Sequence, residues 1–189
     1  MLRDEHEVWA RVPLANIALH QEAGTTVARL LEGLPFDEAA LCRRKRVSWS
    51  DHATICERLA EAVGGLRELE DLVAGTYHRV TPEMRSLAAA VISPTVFYRF
   101  VLEVLNPIIV PPVALALDDL GDSKVRVTSR LHAGARPSDA FFHGATGALR
   151  SFSAHLDLPL AKVLSSDIGP THGVWELELP RGRTLVHRA

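Results

Sequence analysis

Nine histidines and two cysteines are the side chains of this 189-residue sequence with the widest chemical range, and their spacing decides what they can do. A zinc site takes its ligands at short helical or knuckle spacing, as in His-x-x-x-His, His-Glu-x-x-His or Cys-x-x-Cys. None of these patterns occurs. His132, His143, His155 and His172 stand singly, and Cys42 and Cys56 lie fourteen positions apart with no second pair, so neither zinc nor a disulfide framework is signalled. Nucleophilic catalysis is no better served: there is no Gly-x-Ser-x-Gly elbow, and Cys56 falls in an apolar helical stripe with no histidine beside it in sequence. Cys42 precedes the cationic run Arg43-Arg44-Lys45-Arg46, again with no general base in view. Gly121-Asp122-Ser123-Lys124 lacks the ending of a phosphate loop and reads as a hairpin turn bordered by the solvated pair Asp118-Asp119. No reaction is written in these residues, and the expectation is a protein that is not an enzyme.

Composition narrows the class further. Hydrophobic residues make up 47% and charged residues 23% of the chain, enough for one sizeable core or two small ones. A formal net charge of -2 offers no general field for nucleic acid or an anionic membrane. No apolar run approaches the roughly 20 residues needed to cross a bilayer. The acidic start MLRDEHEVW is unlike a secretory signal, so the expected location is the cytoplasm.

The elements that must position these residues follow from periodicity. Residues 1–12 read as a polar leading segment. A helix with Leu14, Ile17, Val27, Leu30 and Leu31 on one side is predicted over Pro13 to Glu32, with Gly24 as an interruption and Gly33 as its stop. Ser48 or Ser50 caps the next helix, lined by Ile55, Leu59 and Val63 as far as Gly64-Gly65; a shorter one spans Leu66 to Val73 and ends at Gly75. Thr81-Pro82 and Ser93-Pro94 are cap-and-proline starts. The second opens a helix with Phe97, Phe100, Val101, Val104 and Leu105, apolar around most of its circumference and so predicted to be buried, which Asn106-Pro107 ends.

From Val113 the period changes to two. Val113, Leu115 and Leu117 share one face of a strand, and Val125, Val127 and Leu131 continue it past the turn, leaving Lys124, Arg126, Thr128 and Arg130 on the other face. Ser138 caps a helix carrying Phe141, Phe142, Leu149, Phe152 and Leu156, in which Gly144 and Gly147 mark either a close approach by a neighbouring element or a pocket wall made by missing side chains. A closing hairpin covers KVLSSDIGPTHGVWELELP. The fold class is therefore α+β: a helical half over 13–106 packed on a small antiparallel sheet with a crossing helix over 113–180. These form one domain followed by a linker or tail over 181–189.

This order of elements resembles the sensory domains of the heme-nitric-oxide/oxygen-binding (H-NOX) and vinyl-reductase-type fold group. The resemblance rests on SPTVFYRFVLEVLNPIIVPP, on KVRVTSRLHAGARPSDAFFHGATGALRSF and on the closing VLSSDIGPTHGVWELELP, and spans about residues 36 to 180. It implies an input module of bacterial signalling proteins. The group's heme motifs are not matched: Val104, Leu105, Asn106 and Pro107 stand where an H-NOX domain carries its heme-ligating histidine, and Ser129-Arg130 lacks the tyrosine of Tyr-x-Ser-x-Arg. The phrase RVSWSDHATICERLAEAVGG resembles one in related domains ahead of kinase and regulator outputs.

The leading expectation is a regulatory domain without a cofactor that binds a small, mostly apolar molecule between its halves, through Phe97, Arg99, Phe100, Arg130, Phe141, Phe142 and His143. Its expected partners are a signalling output in cis or in trans and a second copy in a homodimer, with no nucleic acid and no membrane. Two alternatives stand beside it. One is a heme-binding gas sensor using a non-standard ligand such as His143 or His78; the other is a ligand-free dimerisation or interaction domain.

Overall fold

In the computed structural model, which describes residues 7–22, 24, 26–89 and 93–181, the helical half comes first. A short strand, β1 (Glu7–Trp9), pairs antiparallel with β2 (Arg46–Ser48) across helices α1 (Arg11–Glu22), α2 (Val27–Leu31) and α3 (Glu38–Arg43). The single helix expected over 13–32 is thus two helices that part around Gly24, whose φ of 77° lies in the left-handed region that glycine tolerates. The leading segment joins the fold from Glu7 onward, through the β1–β2 pairing; residues 1–6 lie outside the described residues, as does the expected tail from 182.

Ser48 caps α4 (Trp49–Val63), its hydroxyl accepting from the Asp51 N–H at 3.1 Å, and Gly64 closes the helix at φ 104°. Helix α5 (Leu66–Val80) runs through Gly75, where the sequence suggested a stop. Leu69, Val73 and Ala74 bury one side of it, and Thr76 Oγ1 donates to the Leu72 carbonyl at 2.5 Å, so packing outweighs the roughly 1 kcal/mol that a glycine costs a helix interior. Helix α6 (Glu83–Ala89) follows Thr81-Pro82.

The helix opened by Ser93-Pro94 departs most from expectation. Helix α7 (Pro94–Arg99) passes into a π-helical segment (Phe100–Leu105) and then into α8 (Asn106–Ile109), so the rod continues past Pro107. The widened turn, in which the Asn106 N–H reaches the Val101 carbonyl five residues back, accommodates a proline that an unbroken α-helical ladder would not. The rod is also not buried all round: Val96 and Val104 are half exposed, while Phe97, Tyr98, Val101 and Leu102 face inward.

The second half is a four-stranded antiparallel sheet in the order β3–β4–β6–β5, built from β3 (Val113–Gly121), β4 (Lys124–Leu131), β5 (Lys162–Gly169) and β6 (His172–Glu178). Asp122 and Ser123, both at positive φ, make the two-residue turn of the first hairpin. The proline pair Pro111-Pro112 precedes an edge strand, where missing N–H donors are tolerated. Helix α9 (Asp139–Ser151), capped by Ser138, crosses the sheet and continues as a 3₁₀ turn (Phe152–Leu156).

Two buried clusters result. One gathers the side chains of α1 to α5, including Leu19, Leu41, Ile55 and Leu59. The other lies between α9, α7 and the inner sheet face, with Phe97, Phe142, Val127 and Trp175. Helices α5 and α9 join the clusters along a close seam. A Cβ on Gly147 would stand 2.5 Å from the Glu70 carbonyl oxygen and 2.6 Å from Val73 Cβ, so only glycine lets the two backbones approach this far.

Candidate ligand cavity

Between the two clusters lies a cavity of about 150 Å³ whose walls come from both halves of the chain. Positions 52, 56 and 59 of α4 fall on one side of the helix, four and three residues apart, and present His52, Cys56 and Leu59 to it. Leu69, Val73 and Tyr77 of α5 follow the same rule. The rod supplies Val101, Leu102 and Asn106; the sheet supplies Val113, Leu115, Ser129 and Trp175; α9 supplies Phe141, Gly144, Ala145 and Ala148. Asn106 is fixed in this wall by donating from Nδ2 to the Val113 carbonyl at 2.8 Å. Trp175 is anchored by donation from Nε1 to Thr146 Oγ1 at 2.8 Å.

His52 is the unusual member. Its ring is 1% exposed and meets Trp49 and Phe141 edge to face, with centroids 5.7 and 5.9 Å away. Its Nε2 lies 3.7 Å from Cys56 Sγ, while Nδ1 is buried without any hydrogen-bond partner. Loss of solvent pushes the imidazole pKa down to about 4, so the ring is neutral at physiological pH. The same burial pushes the Cys56 thiol up to about 12, although Asn16 Nδ2, donating to Sγ at 3.3 Å, works against the shift. Tyr77 is likewise raised to about 12 by burial, with the Glu83 charge adding to it. Among the described residues lining the cavity none is Arg or Lys.

Of the seven side chains expected to contact a ligand, Phe141 lines this cavity. Phe97 and Phe142 are fully buried in the cluster beneath the sheet, and Phe100 is half-buried outside the lining. Arg99 is exposed on the outer side of the rod, 3.9 Å from Glu103. Arg130 faces away because strands alternate: Val127 and Ser129 point inward, which places Arg130 on the outer face opposite His172. His143 hydrogen-bonds Glu70 across the α5–α9 seam. His78 lies outside the lining too, its ring 6.4 Å from that of His155. The expectation that Cys56 has no histidine beside it is corrected by the helix itself, which brings His52 one turn away onto the same side. That spacing of four, continued three further to Leu59, was the signal in the sequence for this site.

No protein-family model matches the sequence, and no curated protein does. Solved structures do match in fold. The Fe(II) unliganded H-NOX protein of K. algicida superposes with a TM-score of 0.61 at 9% identity, covering 94% of this chain and 98% of that one. A variant of the T. tengcongensis H-NOX gives 0.60 at 11% identity over 92% and 97% of the two chains. An oxygen-binding H-NOX domain related to soluble guanylate cyclases, in its oxygen complex, gives 0.59 at 10% over 86% and 89%. A further match comes from work on heme distortion in the H-NOX family, and another from work on heme redox potential and porphyrin distortion. The expectation of a domain without a cofactor is corrected at this point, since solved neighbours of this fold are named for Fe(II) and for heme. Across more than nine tenths of its length the chain has the fold of an H-NOX domain.

Proposed function

We propose that this chain is a non-catalytic sensory domain that holds a heme-type group in the cavity between its halves, with His52 as the iron ligand, and reports occupancy to a signalling output in cis or in trans. The observation that carries this reading is a neutral, buried imidazole with an unpartnered nitrogen at the wall of an apolar cavity. A buried polar atom without a partner costs about 1–3 kcal/mol, a cost that a bound ligand removes. Neutral imidazole is also the form that ligates heme iron. The imidazole suits the iron of such a group, whereas the cavity of about 150 Å³ is smaller than a porphyrin requires, so the halves must part to admit it. Cys56 and Tyr77 carry ligating atoms too, but both ligate as anions and both hold their protons here.

A heme-type group held by His52 would supply an iron able to bind a diatomic gas. The chain's own residues do the rest: Trp49 and Phe141, packed against each other and each edge to face with His52, fix the orientation of the imidazole, and Leu59, Val73, Val101 and Leu102 keep water out. The described lining residues include no cation that would pair with a porphyrin's carboxylates. Among the described residues no helix is long and apolar enough to cross a membrane.

Titration of the purified chain with hemin tests the reading. A Soret band that saturates, is lost in His52→Ala and persists in His143→Ala and His78→Ala is the expected result. Absence of the band from the native chain, or its survival in His52→Ala, overturns the assignment.

A further inference from the structure

A second concavity, sharing no lining residue with the first, is a surface groove of about 850 Å³ between β1, the start of α1, the α3–β2 connection and the end of α5. Arg11, Arg44, Lys45 and Arg46 line it, with Glu83 as the single carboxylate among the described lining residues. The local sign is therefore opposite to the chain's net charge of -2. Two of the cations are already engaged: Arg11 lies 3.5 Å from Glu83, and Arg44 donates to the Pro35 carbonyl at 3.2 Å with its guanidinium 5.2 Å from the centre of the Phe36 ring. Lys45 and Arg46 make no ion pair with any described carboxylate. Leu14 and Val80 form an apolar floor beside them, and Trp9, 37% exposed, is the large aromatic on the wall.

We propose that this groove binds an acidic peptide segment of a partner protein, one apolar residue of the segment seated on the floor and its carboxylates on Lys45 and Arg46. Three features select that occupant. A concave site with an apolar floor receives an inserted side chain, whereas binding a bilayer surface requires apolar side chains that protrude. Four cations, two of them engaged, fall short of the several phosphate contacts that give nucleic acid its affinity. Lysine and arginine around an apolar seat match carboxylates around an apolar side chain, the charge complementarity that gives an interface its specificity and on-rate.

The probe is a fluorescein-labelled peptide of alternating glutamate and leucine, followed by polarisation and by tryptophan emission. Trp49 and Trp175 are buried, so the emission change comes from Trp9 and disappears in Trp9→Phe. Binding to the native chain weakens as salt is raised and falls at least tenfold in Lys45→Glu. A peptide with lysine in place of glutamate binds Lys45→Glu more tightly than it binds the native chain. Lys45 is exposed, and Lys45→Ala, checked by its melting curve, serves if the charge reversal unfolds the protein. Equal affinity of native and Lys45→Glu proteins overturns the proposal. So does tighter binding of phosphatidylserine vesicles or single-stranded RNA than of the peptide.

Discussion

His52 sets the behaviour of this protein at the scale of a single residue, because the fold leaves it neutral and half-satisfied. An ordinary histidine titrates near 6.5, and burial lowers this one to about 4. As pH falls through that interval the unfolded chain takes up a proton that the folded chain refuses, so stability is full above 6.5, declines towards 4 and then levels off. At about 1.4 kcal/mol per pH unit, the His52 contribution reaches roughly 3 kcal/mol. His155, also lowered to about 4 by burial and by the neighbouring His78 and Arg85 charges, acts in the same window. Urea midpoints measured between pH 7 and 4 should fall steeply in the native chain and less steeply in His52→Leu. Cys56 provides a companion test. With its thiol raised to about 12 and its side chain buried, maleimide at pH 7.5 should label Cys42, which is exposed, and reach Cys56 only on unfolding. Side-chain type was readable here, and so was the facing of Arg130, which the alternation of Val125 and Val127 puts on the opposite face; the burial of Phe142 was not. Arg130 and Phe142 have the right chemistry for a ligand, yet one is turned out by strand alternation and the other is consumed by the lower core.

At the scale of elements, the seam between α5 and α9 is where sequence and structure agree most closely. Gly144 and Gly147 mark a close approach in the sequence, and Gly147 proves to be the contact itself. Gly147→Ala must push a methyl group into the Glu70 carbonyl and Val73, and overpacking of this kind costs about 1–3 kcal/mol. Gly144 differs. A Cβ there meets only Leu69 Cδ2 at 3.9 Å, so Gly144→Ala should gain up to about 1 kcal/mol of helix propensity while placing a methyl group at the cavity wall. Urea unfolding of the two variants should therefore move in opposite directions, with ligand uptake reduced in Gly144→Ala. Caps at Ser48, Ser93 and Ser138 were legible because each is a local hydrogen bond. The π-helical turn and the run of α5 past Gly75 were not, since both are imposed by packing against elements distant in sequence.

At the scale of the whole molecule, the α+β class, the two halves and the sheet hairpins could be read from the change of period at Val113, whereas the strand order and the cavity arise only on assembly. The halves are held by the α5–α9 seam and by Arg136, whose guanidinium donates to Thr54 Oγ1 and Glu57 Oε2, both at 2.6 Å, while its carbonyl accepts from Trp49 Nε1 at 2.7 Å. A cavity of about 150 Å³ suffices for a benzene-sized molecule, whereas larger ligands occupy roughly 300–1,000 Å³. Uptake of a porphyrin must therefore draw the halves apart. X-ray scattering should show a larger radius of gyration on hemin loading and no change with benzene, and a Soret band without expansion would place the group elsewhere. The rim of the sheet carries one more implication. Along β3 the Leu117 N–H donates to Glu103 Oε1 at 3.1 Å and the Val113 carbonyl accepts from Asn106, so the π-helical rod occupies backbone sites that another strand would need. The rod thus doubles as a guard against fibrous self-association, and a mutation that loosens it exposes a sticky border before it unfolds the sheet.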